Sequence, residues 1–247
     1  MKESVQAHKI ADVEVGSFLS SGVDSSYMAA LAHVDKTFTV GFANKQYDET
    51  DYAQEFSKHI GVKNYAYRIT PEEYWANLGK IQYTWMSLWR MPLRSRCTLS
   101  TAKHPSRSKS AVRRGRDEIF GGYNIYKEPL AVPAYDKIPF PIRRFIGKIA
   151  SHLPKKSGIN FLIRRGKKLE DRFIGNAYMF TEEERKKLLK IKTDAPSPAE
   201  VVKPFYDRVK DKDPVTKMQF VDLNAWMVGD ILLKADKMSM ANSLEVR

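Results

Sequence analysis

The sequence lacks the residues on which several classes of protein depend. A single cysteine, Cys97, excludes an intramolecular disulfide framework, and five histidines are scattered without the spacing of metal ligands. No apolar run reaches the ~18 residues of a membrane span, and no signal-peptide pattern precedes the first predicted strand. Together with 43% hydrophobic and 29% charged residues, these absences predict a cytoplasmic globular protein with no membrane partner.

Acidic residues are missing from one long passage. Residues 85–116 contain nine Lys/Arg and no Asp or Glu, within a chain of net charge +13. Clustered cations are typical of proteins that bind a polyanion, because they release counterions from phosphate backbones. A solvated surface rich in lysine is the alternative. Without these nine residues the net charge would be +4, so a nucleic-acid-binding module would depend on this passage, and its RNA affinity would fall steeply with salt.

Alternating strand and helix patterns occupy the first part of the chain. Strands are predicted over 13–20, 36–42 and 63–70; helices are predicted after Gly22, over 48–61 and from Pro71 to about Tyr83. Gly61 suits a left-handed helix cap, and Thr70 with Glu73 forms a capping box. This alternation predicts an α/β fold with a parallel sheet.

The second part of the chain is predicted to be mainly helical. Proline-rich loops separate its helical patterns, Thr181 with Glu184 forms another capping box, and residues 214–242 are almost continuously helical. We therefore expect two domains, over 1–130 and 131–247.

Candidate chemistry lies in the segment between the first strand and the first helix. Its residues Ser20, Ser21, Gly22, Val23, Asp24, Ser25 and Ser26 combine hydroxyls with the amides of a helix start, which is a favourable place for an anion. The Gly-Lys-Ser/Thr ending of a Walker A loop is missing. Because Asp24 would repel phosphate, a bound Mg²⁺ is implied. A serine-rich helix cap without a ligand is the alternative.

The segment resembles the SGGVDSS pyrophosphate-binding signature of the ATP pyrophosphatase (PP-loop) superfamily, with Ser21 in place of the first glycine. Further motifs follow in order: FTVGF with a downstream YDE, then DEIFGGYNIYKEP (117–129) and LLKADKMSMANSLEVR (232–247). Together they resemble the synthetase domain of glutamine-hydrolysing asparagine synthetases. A sister enzyme such as a β-lactam synthetase is the nearest alternative.

The resemblance implies ATP-dependent amidation of aspartate through β-aspartyl-AMP, with ammonia as the second substrate and Mg²⁺ as cofactor. It assigns Leu19, Val40 and Gly41 to ATP, residues 20–26 to pyrophosphate, Asp24 and Asp117 to the metal, and Asp117 and Asp236 to catalysis. It implies no nucleic-acid partner and is compatible with a homodimer. The glutaminase domain of the family is expected to be absent from this chain.

Residues 85–116 depart from the family, which has MDEPLADPS, VALYFV and SGEGADE segments there. Read one base earlier, the codons of Trp85-Met86 must give Asp and those of Met91-Pro92 must give Ala. Read one base later, residues 112–116 allow Ser-Gly-Glu-Gly-Ala. We therefore hypothesise that 85–116 is an out-of-frame translation. Codons for Ser87 or Arg113 incompatible with these readings would contradict it.

This hypothesis changes the expected activity and charge. Arg114 occupies the position of the family's catalytic glutamate, and a later catalytic lysine is not included, so the chain as written is expected to make no asparagine. In the restored frame the net charge would be roughly +1, which removes most of the support for nucleic-acid binding. We also expect 85–116 to fold poorly and trypsin to cut there first, since its arginines could not be buried without partners.

Overall fold

The first half of the chain forms a parallel sheet flanked by helices. The computed structural model describes residues 1–85, 109–110, 116–154, 156–176, 180–191 and 194–246. The strands are β1 (Val15–Phe18), β2 (Lys36–Phe42), β3 (Lys63–Ile69) and β4 (Lys109–Ser110). Their spatial order is β3-β2-β1-β4, and every neighbouring pair is parallel.

Four helices accompany these strands: α1 (Lys2–His8), α2 (Val23–Ala32), α3 (Thr50–His59) and α4 (Pro71–Trp85). A short 3₁₀ turn, Lys45–Tyr47, precedes α3. The α/β class, the three strands and the helices after Gly22, over 48–61 and from Pro71 are therefore confirmed. Helix α1 was not predicted.

The predicted helix boundaries have the expected local chemistry. Gly61 has φ +73°, a left-handed conformation that glycine adopts at little cost. The Glu73 N–H donates to Thr70 Oγ1 at 3.2 Å, and the Thr70 N–H donates to the Glu73 carboxylate at 3.3 Å. The capping box is confirmed, and it fixes the start of α4.

The sheet is held between its helices by small apolar clusters. One contains Val5, Val15, Met28, Ala32 and Val34, and another contains Leu19, Ala29 and Ala53. The second cluster joins the end of β1 to α2 and α3, so it fixes the backbone on which the candidate loop begins.

The rest of the chain is helical, as predicted. Its α-helices are α5 (Arg116–Phe120), α6 (Pro133–Asp136), α7 (Phe140–Ala150), α8 (Ser157–Arg165), α9 (Leu169–Arg172), α10 (Glu182–Leu188), α11 (Pro198–Arg208), α12 (Pro214–Val221) and α13 (Leu233–Met240). A 3₁₀ segment covers Asn124–Leu130, and a π-helix covers Asp222–Leu232. The capping box of Thr181 and Glu184 is confirmed, and so is the almost continuous helix from Pro214 onward. No helix among these described ranges has the length and apolar character needed to cross a membrane.

The contacts divide the chain into two compact units. The first unit is Met1–Arg114 with Ile231–Arg247, and the second is Gly115–Asp230. Thus α13 returns to the first unit, where it packs on α4. The second unit has its own core of Tyr126, Phe173, Val202, Tyr206, Met218 and Val221. The predicted domains, an α/β region over 1–130 and a helical continuation over 131–247, have other boundaries than these units and stay a prediction.

Most of the passage 85–116 lies outside the described residues. Lys109 and Ser110 are described, and they pair with Val15 and Gly16 of β1 as strand β4. The hypothesis of an altered reading frame and the expectation of poor folding therefore stay predictions.

Candidate functional site

The candidate loop begins where β1 ends. Leu19 is buried, and its N–H donates to the carbonyl of Phe38 at 2.8 Å, so the β1–β2 pairing continues one residue past Phe18. Ser20 and Ser21 follow, and Gly22 is the N-cap of α2. The loop therefore lies at the carboxyl end of the sheet, where ligands of open α/β sheets bind.

Serine hydroxyls hold the loop closed on itself. The Ser20 N–H donates to Ser25 Oγ at 3.1 Å, and the two hydroxyl oxygens are 2.8 Å apart. Ser26 Oγ donates to the Gly22 carbonyl at 3.1 Å, while the Gly22 N–H donates to Ser20 Oγ at 3.2 Å. These contacts keep the backbone of the loop wrapped around the start of α2.

The start of α2 presents backbone amides rather than a side-chain cap. Gly22 provides no capping side chain, and the first amides of a helix have no partner within the helix. Val23 is exposed and Asp24 is half-buried in the first turn. A ten-residue helix with this start favours an anion at its amides.

A carboxylate that was given no role from the sequence contacts the loop. The Ser21 N–H donates to Glu49 Oε2 at 3.2 Å. Glu49 is the N-cap residue of α3 and belongs to the YDE motif. Because a phosphate oxygen would accept from the same type of donor, the Glu49 carboxylate lies where part of an anion would bind.

Asp48 lies beside the end of β2 and is bound there by side chains of β3 and α3. It accepts from Arg68 Nε at 2.7 Å and from Thr50 Oγ1 at 3.0 Å. Burial would raise the pKa of Asp48, but the hydrogen bonds from Arg68 and Thr50 outweigh it and lower the pKa below its usual value. A Cβ atom at Gly41 would lie 2.0 Å from Asp48 Oδ1. Glycine is therefore needed at 41 to leave room for this carboxylate.

Asp117 lies in the second unit, near the start of α5. The helix ends at Gly121, whose φ is +71°, and the Gly122 N–H donates to the Asp117 carbonyl at 3.0 Å. A Cβ atom at Gly122 would lie 2.0 Å from Asp117 Oδ1. The two glycines therefore fold the turn tightly against the Asp117 side chain.

Comparison with known proteins identifies the family of the chain. The asparagine synthase family model matches residues 1–247. The chain belongs to the asparagine synthase family. It is 40% identical over 259 residues to asparagine synthetase [glutamine-hydrolyzing] 1 of Bacillus subtilis, covering 99% of this chain and 40% of that protein.

Other members of the asparagine synthase family are also similar. A putative asparagine synthetase [glutamine-hydrolyzing] of Mycobacterium tuberculosis is 37% identical over 259 residues, covering 100% of this chain and 39% of that protein. One from Methanocaldococcus jannaschii is 28% identical over 169 residues, covering 64% of this chain and 31% of that protein. The chain spans about two fifths of the length of the first two relatives.

The structure brings together one group of the residues that the resemblance to the asparagine synthase family singles out. Leu19, the 20–26 loop, Val40 and Gly41 all lie at the carboxyl ends of β1 and β2. Asp236 is in the same unit but on α13, where it is exposed. Asp117 belongs to the other unit, and Arg114 lies outside the described residues. Their functional roles stay predictions.

The acidic residues near the loop suit a phosphate-bound Mg²⁺ better than a metal held by protein alone. Within the described ranges, no group of three or more His, Cys, Asp or Glu side chains could hold a metal ion. Mg²⁺ commonly takes one or two carboxylates and completes its coordination with substrate phosphates and water. Asp24, beside the amides of the α2 start, fits that kind of site.

A buried acidic network adjoins the DEIFGGY motif. Glu118 is fully buried and accepts from Tyr123 Oη at 2.9 Å. Asp222, also fully buried, accepts from Tyr126 Oη at 2.6 Å and from the Asn176 N–H at 3.0 Å. Burial raises the pKa of Asp222 to about 6. These contacts join α5 and the Asn124–Leu130 segment to the start of the π-helix.

Proposed function

We propose that this chain is the ATP-binding synthetase part of a cytoplasmic enzyme that amidates aspartate to asparagine. The observation that carries the proposal is the 20–26 loop: serine hydroxyls and the amides opening α2 converge at the carboxyl end of β1. Membership of the asparagine synthase family supports this use of the loop.

The proposed reaction has two steps. A β-carboxylate oxygen of aspartate attacks the α-phosphorus of ATP, and the bond to pyrophosphate breaks, which leaves β-aspartyl-AMP. Ammonia then attacks the acyl carbon, AMP leaves with the bonding electron pair, and one proton is lost from nitrogen. The relatives' names state that they hydrolyse glutamine, so we propose glutamine, hydrolysed outside these 247 residues, as the source of ammonia.

The loop would serve the first step by holding the leaving group. Amides of residues 23–25 and the hydroxyls of Ser20, Ser21 and Ser25 would donate to the pyrophosphate oxygens. Asp24 would hold Mg²⁺, which supplies positive charge against the charge that develops on pyrophosphate. Leu19 and Val40 would contact adenosine from neighbouring strands. Asp117 and Asp236 are proposed to act on the metal and aspartate sides.

Binding and turnover test different parts of the proposal. We expect the chain to bind ATP·Mg²⁺ weakly by calorimetry, and Asp24→Ala to weaken binding about tenfold or more. Asp12→Ala, which removes an exposed acid before β1, is the control and should bind like the wild type. Equal affinities for wild type and Asp24→Ala, or no binding by either, would contradict the assignment of the loop.

Turnover tests the effect of Arg114. With aspartate, ATP, Mg²⁺ and ammonium we expect no asparagine, since a cation replaces the family's catalytic carboxylate; such losses run to roughly hundredfold and beyond. Aspartate-dependent asparagine formation would contradict the expected inactivity. Pyrophosphate exchange with another carboxylate but not with aspartate would instead support a β-lactam-synthetase-like ligase.

A further inference from the structure

A second basic stretch lies outside 85–116. Residues 137–169 contain ten cations and no Asp or Glu. They are Lys137, Arg143, Arg144, Lys148, Lys155, Lys156, Arg164, Arg165, Lys167 and Lys168. With these ten and the nine cations of 85–116 removed, the net charge of +13 becomes −6. The positive charge of the chain is therefore concentrated in two stretches, and the second one folds as α7 and α8.

Close backbone packing joins α7 and α8 along one side. A Cβ atom at Gly147 would lie 2.9 Å from Gly166 Cα, and Ala150 is buried on the same side of α7. Two of the arginines have partners inside the unit: Arg143 donates to Asp136 Oδ1 at 2.7 Å, and Arg165 Nη1 lies 3.1 Å from Asp136 Oδ2. The remaining cations of α7 are Arg144 and Lys148, and both are exposed.

The outer side of α7 carries an apolar row. Ile142, Phe145, Ile149 and Leu153 are 51%, 65%, 53% and 48% exposed. At about 100° per residue, the three that lie on the helix fall within an arc of about 60°. Arg144, Lys148 and His152, each one residue before a member of the apolar row, form a basic row beside it. We call these two rows the α7 outer face.

We propose that the α7 outer face docks on an anionic lipid bilayer, with α7 lying in the plane of the interface. Helices that bind at the boundary between lipid headgroups and acyl chains typically have bulky apolar side chains beside Lys and Arg, and no acids. The apolar row would enter the acyl boundary while the basic row contacts the anionic headgroups. At 11 residues, α7 spans only about 16 Å, so it lies on the membrane and does not cross it.

Other occupants match the face less well. A second copy of the chain, docked through the same face, would bring two basic rows of like charge together. Nucleic acid would complement the basic row, but single strands are bound by stacking on aromatic rings, and the apolar row has one aromatic residue. The expectation that the chain has no membrane partner rests only on the absence of spanning segments and leader peptides from the sequence. A helix in the interface requires neither.

Vesicle sedimentation with the full 247-residue chain tests the proposal. Vesicles of equal parts phosphatidylglycerol and phosphatidylcholine should bind the chain at least tenfold more strongly than vesicles of phosphatidylcholine alone. Phe145→Ser/Ile149→Ser and Arg144→Gln/Lys148→Gln should each weaken anionic-vesicle binding about tenfold or more. Raising the salt from 0.05 to 0.5 M should weaken the wild type by a similar factor, because screening shortens the reach of the charges.

Helix α10 and the residues just after it offer matched controls in the same unit. Leu188→Ser/Ile191→Ser removes two exposed apolar side chains, and Lys186→Gln/Lys187→Gln removes two exposed cations. Both should bind anionic vesicles within twofold of the wild type, and circular dichroism should show that every variant is folded.

Several outcomes would overturn the proposal. One is that the chain binds anionic and neutral vesicles equally well. Another is that the α7 and α10 variants lose anionic-vesicle binding to the same extent. A third is that the wild type is a dimer and Phe145→Ser/Ile149→Ser is a monomer. Tight binding to single-stranded RNA, lost with Arg144→Gln/Lys148→Gln and kept with Phe145→Ser/Ile149→Ser, would assign the face to nucleic acid.

Discussion

Replacing Asp222 by asparagine should change how stability depends on pH. The carboxylate is fully buried and accepts from Tyr126 Oη at 2.6 Å and from Asn176 Nδ2 at 3.2 Å. Burial raises the pKa of Asp222 to about 6, although the hydrogen bonds from Tyr126 and Asn176 act in the opposite direction; the charge of Glu118 adds to the rise. Asparagine retains an acceptor for Tyr126 and does not titrate.

The size of the effect follows from this pKa. An unfolded aspartate has a pKa of about 3.9, so the difference is roughly two units, or about 3 kcal/mol at 1.36 kcal/mol per unit. Between about pH 4 and pH 6 the folded chain binds a proton that the unfolded chain has lost. Stability due to Asp222 is therefore present below about pH 4, falls as the pH rises toward about 6, and stays low above it.

Urea unfolding of wild type and Asp222→Asn at pH 4.5 and pH 7.5 measures this difference. Relative to the wild type, the free energy of unfolding of the variant should rise by about 2 kcal/mol from pH 4.5 to pH 7.5. Asp213 is the opposite case, since hydrogen bonds from Thr216 lower its pKa. Both the folded and the unfolded pKa of Asp213 therefore lie below pH 4.5, so the free-energy difference between wild type and Asp213→Asn should be nearly the same at pH 4.5 and pH 7.5. A free-energy difference between wild type and Asp222→Asn that is the same at both pH values would refute the account of a buried, protonated Asp222.

Two further predictions concern the edge of the sheet beside the loop. Gly41→Ala should lower the free energy of unfolding by up to about 3 kcal/mol in urea titrations, because its Cβ would lie 2.0 Å from Asp48 Oδ1. It should also weaken ATP·Mg²⁺ binding, whereas Gly61→Ala, strained by φ +73° but clear of other atoms, should leave ATP affinity unchanged. Glu49→Gln should tighten ATP·Mg²⁺ binding by roughly threefold to tenfold in calorimetry, since it keeps an acceptor for Ser21 and removes a charge that repels phosphate. Glu55→Gln, on an exposed part of α3, should not; equal affinities for the two Glu variants would contradict a direct effect of Glu49.

The parts of the fold that the sequence predicts are those with local signals. Strands β2 and β3 are short β-rich runs bounded by turns, and α4 begins at a capping box whose two members are three residues apart. Ser197 with Glu200 forms an equally local capping box at the start of α11, and this one was not predicted. That boundary was predictable in principle, because both partners lie within one helical turn.

Contacts between distant residues had no such signal. Ser21 and Glu49 are 28 residues apart, and Tyr126 and Asp222 are 96 residues apart. Each contact depends on how the intervening strands and helices pack. Glu49 belongs to the YDE motif, but no local pattern shows that it contacts Ser21 or that Asp222 contacts Tyr126. The motifs therefore located the loop, while the carboxylate that competes for its amides required the three-dimensional structure.

The net charge of the chain, like its local sequence motifs, does not show where the charged side chains lie in the fold. Restoring the reading frame of 85–116 would bring the predicted net charge close to zero and so remove the argument for a polyanionic partner. The restored frame would not change residues 137–169, which contain ten cations and no Asp or Glu. A nearly neutral total charge would then be the sum of an acidic chain and the basic stretch 137–169. The exposed cations of that stretch act over about a Debye length of 8–10 Å. Restoring the frame of 85–116 should therefore leave vesicle binding intact, while Arg144→Gln/Lys148→Gln, which removes only two charges, should weaken it about tenfold or more.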